Sequence, residues 1–180
     1  MRTLRKNNRY VIMIFWIITA LAAIIIDQLT KYLAVVFLKP IGYFPLWQDV
    51  LHLTYVENRG AAFGILENHR WVFMSISIVA IIGMIIFTFI YCGKKSRLFN
   101  ISMGMIIAGG IGNMIDRIAN GFVVDFIDFT LIDFAVFNGA DSCVCVGAAL
   151  LFIYILFIEG KGKNEKNSPD AERDGSQQQN

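Results

Sequence analysis

Charge is scarce in this sequence. Of its 180 residues, 17% are charged and 56% are hydrophobic, with a mean hydropathy of +0.57. A soluble domain carries about 25% charged residues, so an ordinary soluble fold is excluded. The net charge of +2 lacks the electrostatic footprint of a nucleic-acid binder. Histidine occurs twice, as His52 and His69. With no G-x-S-x-G nearby, Ser–His–Asp catalysis has no support. There is no H-E-x-x-H and no cysteine–histidine cluster, so no zinc site or other metal is expected. The phosphate-cradling G-x-x-x-x-G-K-[ST] is also missing, and no cofactor is indicated. Three cysteines give no disulfide framework. Cys143 and Cys145 are two apart on a helix and diverge, so they and Cys92 read as small packing residues. No internal repeat is present.

Long uncharged runs are what the chain has in their place. Residues 71–91, 98–115 and 142–158 carry no charge, nor do 10–26, a run that continues through Asp27 to about Leu38. Each is long enough to cross a bilayer. They predict an all-α integral membrane protein with four transmembrane helices, at about 10–38, 71–91, 98–115 and 141–158. One membrane domain spans 1–160, followed by a disordered tail over 161–180, where the composition turns polar and charge-mixed. The apolar run passes straight through the "ALA" at 20–22, so helix 1 reads as uncleaved rather than as a signal peptide.

Basic residues cluster at one end of these runs. Arg2, Arg5, Lys6 and Arg9 precede helix 1; Lys94, Lys95 and Arg97 separate helices 2 and 3; Lys161, Lys163, Lys166 and Arg173 follow helix 4. They are most of the 16 lysines and arginines. The positive-inside rule then puts both termini in the cytoplasm and loops 39–70 and 116–140 outside. Within the first loop, "VLHLTYV" (50–56) predicts a small extracytoplasmic β element and "ENRG" a turn. Trp47 and Trp71 suit the membrane interface. Gly104, Ala108 and Gly112 form a small-residue stripe on helix 3, suited to close helix packing.

The acids converge. At ~1.5 Å per residue, Asp27 lies roughly 25 Å up helix 1, Asp116 roughly 27 Å up helix 3 and Asp141 roughly 25 Å up helix 4. Asp125 lies in the loop joining two of those ends. Asn113 shares a helix face with Asp116 and Arg117, Asn138 precedes Asp141 by three, and Asn58 and Arg59 lie at the outer turn. Ionisable groups at such depth line functional cavities or pair with one another. Asp116 beside Arg117 also reads as a structural ion pair, and Asp128 and Asp133 as solvated loop acids or acids at the headgroup level. The chemistry left by elimination is a carboxylate pair sharing one proton, in which one member activates water and the other polarises a carbonyl. Spacing leaves open which two acids are close enough.

Four short blocks carry a resemblance: "DQLTK" (27–31), "NRGAAFG" (58–64), "GGIGNMIDR" (109–117) continued by "GFVVDF" (121–126), and "FNGADSCVCVG" (137–147). In this order, in a four-helix membrane protein, they resemble the lipoprotein signal peptidases, bacterial signal peptidase II. The resemblance implies an intramembrane aspartic endopeptidase of the bacterial cytoplasmic (inner) membrane and a target of globomycin-type antibiotics. It implies Asp125 and Asp141 as the catalytic dyad, near the outer face. Asn58, Asn113, Arg117 and Asn138 match polar residues around that site, and Asp27 and Asp116 match supporting acids. The implied substrates are diacylglyceryl-modified prolipoproteins, cut just before the lipidated cysteine. Membrane lipid is the other partner, nucleic acid is not one, and a monomer is expected. Arg59 and His52 receive no catalytic role. A proton-coupled transporter, an assembly protein whose acids only pair with Arg117 and Lys31, and a metal-dependent hydrolase are the alternatives.

Overall fold

The computed structural model describes residues 2–60, 70–91 and 96–159. Its four long helices are α1 (Arg2–Leu33), α2 (Arg70–Tyr91), α3 (Arg97–Ala119) and α4 (Gly139–Ile153). Wider π turns extend α1 over Ala34–Leu38 and α4 over Tyr154–Glu159. The segments Ile14–Leu38, Met74–Tyr91, Arg97–Ala119 and Gly139–Ile158 are long and apolar enough to cross a membrane. Their backbone groups are satisfied within each helix, as hydrocarbon requires. The expected tail (161–180), the loop basics Lys94 and Lys95, Cys92, His69 and most of the 58–64 block lie outside the described residues.

Helix α3 is the pillar of the bundle. It is 56% buried, against 11% for α2 and α4, and it packs against all three other helices. Small residues allow this. Gly104 lies against the backbone of Trp16, and Gly112 against Asp27. Ala108 completes a cluster with Trp16 and Ala20. The stripe read from the sequence is thus the α1–α3 seam. A side chain at Gly109 would collide with Ala140 and Val144, and one at Gly147 with Ser102 and Ile106, so both glycines bring α3 and α4 together. At the end of the bundle away from the sheet, packing is apolar: Phe99, Met103 and Tyr154 form one cluster.

The sheet sits at the opposite end. Strands β1 (Tyr43–Trp47), β2 (Leu51–Asn58) and β3 (Val123–Asp128) form an antiparallel meander in the order β1-β2-β3. Pro45 lies on the edge strand β1, the place a strand tolerates a missing donor. The first long loop holds the expected β element. The third strand comes from the second loop, which the sequence reading left as a connection. Gly121, at φ 87°, reverses the chain after α3. Val123 and Val124 then bury their branched side chains, and β3 pairs with β2 with Val56 opposite Asp125. Alternation along β3 sends Val124 into a cluster with Ala34 and Leu38, and turns Asp125 with Val123 the other way, into a cavity.

Candidate active site

Each polar residue of the site is fixed by the element that carries it. Asn138 caps α4: its Oδ1 accepts from the Asp141 amide at 3.0 Å, while Asp141 Oδ2 accepts from the Asn138 amide at 3.3 Å. This reciprocal capping box fixes the Asp141 carboxyl over the first turn. The Asn138 side chain also donates through Nδ2 to Asp125 Oδ1 at 2.6 Å and to Asn113 Oδ1 at 3.1 Å. Asn138 therefore bonds to both Asp125 and Asp141. Asn58, at the end of β2, donates to Asp125 Oδ2 at 2.9 Å. Asn113, on α3, donates to Asp141 Oδ1 at 2.7 Å. Three neutral amides thus hold two carboxyls.

Asp125 is buried. Burial pushes its pKa up to about 6, and the nearby Asp141 charge adds to the rise, against the hydrogen bonds from Asn58 and Asn138. Asp141 is half-buried. Both carboxyls line a cavity of about 530 Å³ with Asn58, Asn113 and Arg117, walled by apolar residues that include Phe134 and Val144. A second cavity of about 450 Å³ opens between α2, α3 and α4 and reaches Asn113, Arg117 and Asp141 from the other side. Arg117 donates to the carbonyls of Asn113 and Gly60 at 3.3 and 3.1 Å, tying the end of β2 to α3.

A second set of charges lies behind the first. Asp27 and Asp116 are buried, as is Lys31 between them, with Nζ 2.9 Å from Asp27 Oδ2 and 3.1 Å from Asp116 Oδ2. The reading of Asp116 as partner of Arg117 is thus corrected. Consecutive helical residues diverge by about 100°, and Asp116 turns to α1 and Lys31. Asp128 is corrected too: it ends β3, half-buried, and accepts the Thr54 hydroxyl at 2.8 Å. Asp133 is exposed in a left-handed turn. Arg59 faces Glu57 and the Phe122 ring, and His52 packs on Tyr43, so both sit apart from the carboxyl pair. The eight expected site residues come together. The sequence reading left Lys31 and Gln28 outside the site. Gln28 Nε2 donates to Asp116 Oδ1 at 3.1 Å and to the Gly112 carbonyl at 3.2 Å. The i, i+4 spacing of Asp27 and Lys31 was the available signal.

Fold and site together define a polytopic membrane protein built around a buried carboxylate site, in a chain whose membrane depth makes such groups functional by default. Comparison with known proteins narrows this. The family model described as signal peptidase (SPase) II matches residues 19–157. A lipoprotein signal peptidase of Brevibacillus brevis is 46% identical over 143 residues, covering 78% of this chain and 95% of that one. Another, of Halalkalibacterium halodurans, is 43% identical over 159 residues, covering 87% and 100%. A bacterial membrane enzyme solved by the in meso method at 2.3 Å resolution superposes with a TM-score of 0.73 at 33% identity, over 86% of this chain and 93% of that chain. The chain belongs to the signal peptidase II family. It is accordingly a protease and a multi-pass protein of a bacterial membrane.

Proposed function

We propose that this chain is an aspartic endopeptidase that removes the signal peptide from diacylglyceryl-modified prolipoproteins, cutting just before the lipidated cysteine, with Asp125 and Asp141 as its paired catalytic acids. The observation that carries this reading is the holding of both carboxyls by Asn138 at the wall of one cavity. The groups that hold the two carboxyls are neutral amides, and no cation is bonded directly to either acid among the described residues, which favours one shared proton. The ionised member takes a proton from water, and the oxygen attacks the carbonyl carbon of the scissile bond. The protonated member gives its proton to the carbonyl oxygen. The tetrahedral intermediate collapses as a proton passes to the leaving nitrogen of the cysteine.

The wider geometry suits such a substrate. The apolar cavity walls receive a greasy peptide and its lipid, and Asp141, roughly 25 Å along its helix, with Asp125 beside it, is at the level of a membrane surface. The sheet-bearing end faces outward and both termini lie in the cytoplasm, as the basic flanks argue. The first outer loop covers substrate and limits water, and the enzyme works as a monomer. The test is a gel-shift cleavage assay with purified protein in detergent and a diacylglyceryl-modified prolipoprotein. Cleavage that persists with a chelator, and is lost in folded Asp125→Asn and Asp141→Asn variants, is the expected result. A competent substrate left intact by the wild type, or cut by both variants, would overturn the assignment.

A further inference from the structure

The two supporting acids share a geometric relation. Asp27 Oδ1 accepts from the backbone amide of Ala140 at 2.8 Å, the residue immediately before Asp141. Asp116 Oδ2 accepts from the backbone amide of Val124 at 3.2 Å, the residue immediately before Asp125. Both acids are held by one ammonium, Lys31 Nζ, which is 3% exposed. The same Nζ donates to Asn113 Oδ1 at 2.9 Å. With Lys31 and Asn138 both donating to that oxygen, the Asn113 amide has one orientation, with Nδ2 toward Asp141. Four elements, α1, α3, β3 and α4, therefore converge on one charge.

We propose that Lys31 is a positioning residue for the reaction, setting the separation of Asp125 and Asp141 through Asp27 and Asp116 and the orientation of Asn113. The proposal rests on the dyad reading above. Without the ammonium, two buried carboxylates repel each other. Each then pulls on a backbone amide adjacent to one catalytic acid, and Asn113 Oδ1 keeps only the Asn138 donor, so its orientation is held less firmly. A displacement of about 1 Å at a reacting group costs on the order of 10²-fold in rate. Lys31 pairs with Asp27 on its own helix and Asp116 on α3, and its charge also reaches Asp125 on β3 and Asp141 on α4; Arg117 on α3 acts on Asp116, Asp125 and Asp141 as well. Burial dominates the raised pKa of Asp125, and the Lys31 charge opposes it. Loss of that charge therefore moves the pH–rate profile to higher pH.

The test uses the full-length protein in detergent with a diacylglyceryl-modified prolipoprotein peptide, and compares wild type with Lys31→Met, Lys31→Arg and Asp125→Asn. Lys31→Met is expected to lose about 10² in kcat with KM changed by less than about threefold, and to shift its pH profile upward. Lys31→Arg, which keeps the charge but not the single-atom reach, is expected to recover about tenfold of the kcat and the wild-type pH profile. If Lys31→Met does not fold, Lys31→Arg decides alone: a kcat loss at constant KM supports the proposal and a wild-type kcat overturns it. A folded Lys31→Met with wild-type kcat, or with its loss confined to KM, also overturns it. Inactive Asp125→Asn beside wild-type Lys31 variants would sink this inference alone, whereas an active Asp125→Asn would sink the dyad reading and this inference together.

Discussion

Two pairs of aspartates lie side by side at the sheet-bearing end of the bundle, and they are neutralised differently. Asp27 and Asp116 share an ammonium and bond to backbone amides. Asp125 and Asp141 are held by the neutral amides of Asn58, Asn113 and Asn138 and border a cavity. An acid locked to a buried lysine and to a backbone amide has the bonds of a structural clamp. An acid held only by amides beside a second acid can exchange its proton over an accessible pH range. Carboxylates of one kind, in one small region, thus keep different company, and the proposed division into structure and chemistry rests on that difference.

The comparison breaks most visibly in activity. Asp125→Asn and Asp141→Asn are expected to lower the cleavage rate by about 10³-fold or more, with the unfolding midpoint in mixed detergent showing no loss of fold. Asp27→Asn should do the reverse in kind. It removes the charge facing a buried ammonium and leaves a single oxygen where two served Lys31 and the Ala140 amide, so denaturant titration should show about 3 kcal/mol of lost stability.

The pH dependence sharpens the contrast. An Asp ionises near 3.9 in an unfolded chain, and Asp125 near 6 in the folded one. The folded state therefore binds the extra proton between those values, and this group's contribution to stability is present below pH 4 and lost as pH rises through 6. The stability of Asp125→Asn relative to wild type should rise by roughly 3 kcal/mol between pH 4 and pH 8, measured by denaturant titration at each pH. A flat difference would remove the reason for treating Asp125 as a displaced acid. The smallest effect belongs to a third set of charges. Glu57 bridges Lys39 and Arg59 on the surface, and Glu57→Gln should leave both unfolding and cleavage within experimental error, because solvent already screens such pairs.

The helices were legible because hydrocarbon allows few alternatives: uncharged runs of spanning length have to be helices or buried strands, and their length decides. The common level of Asp27, Asp116 and Asp141 followed from helical rise alone. What sequence spacing did not supply was partner choice. Strand β3 pairs with β2 across the whole of α2 and α3, and no local signal in "VVDFID" announces so distant a neighbour. Lys31 could equally well have paired along its own helix only; that it also reaches Asp116 and Asn113 depends on the close α1–α3 seam that Gly112 permits. Asp116 and Arg117 are neighbours in sequence yet serve different partners, which helical geometry makes the rule for consecutive residues.

A rate-based double-mutant cycle on Asp125→Asn and Asp141→Asn most directly tests whether the two acids act as one unit. Cleavage of the diacylglyceryl-modified prolipoprotein would be followed to the lowest measurable rate for wild type, each single variant and the double variant. Acids that share one proton fail together, so the double variant should be about as slow as either single variant. Losses that multiply in the double variant would mean two independent contributions, and would contradict a catalytic pair.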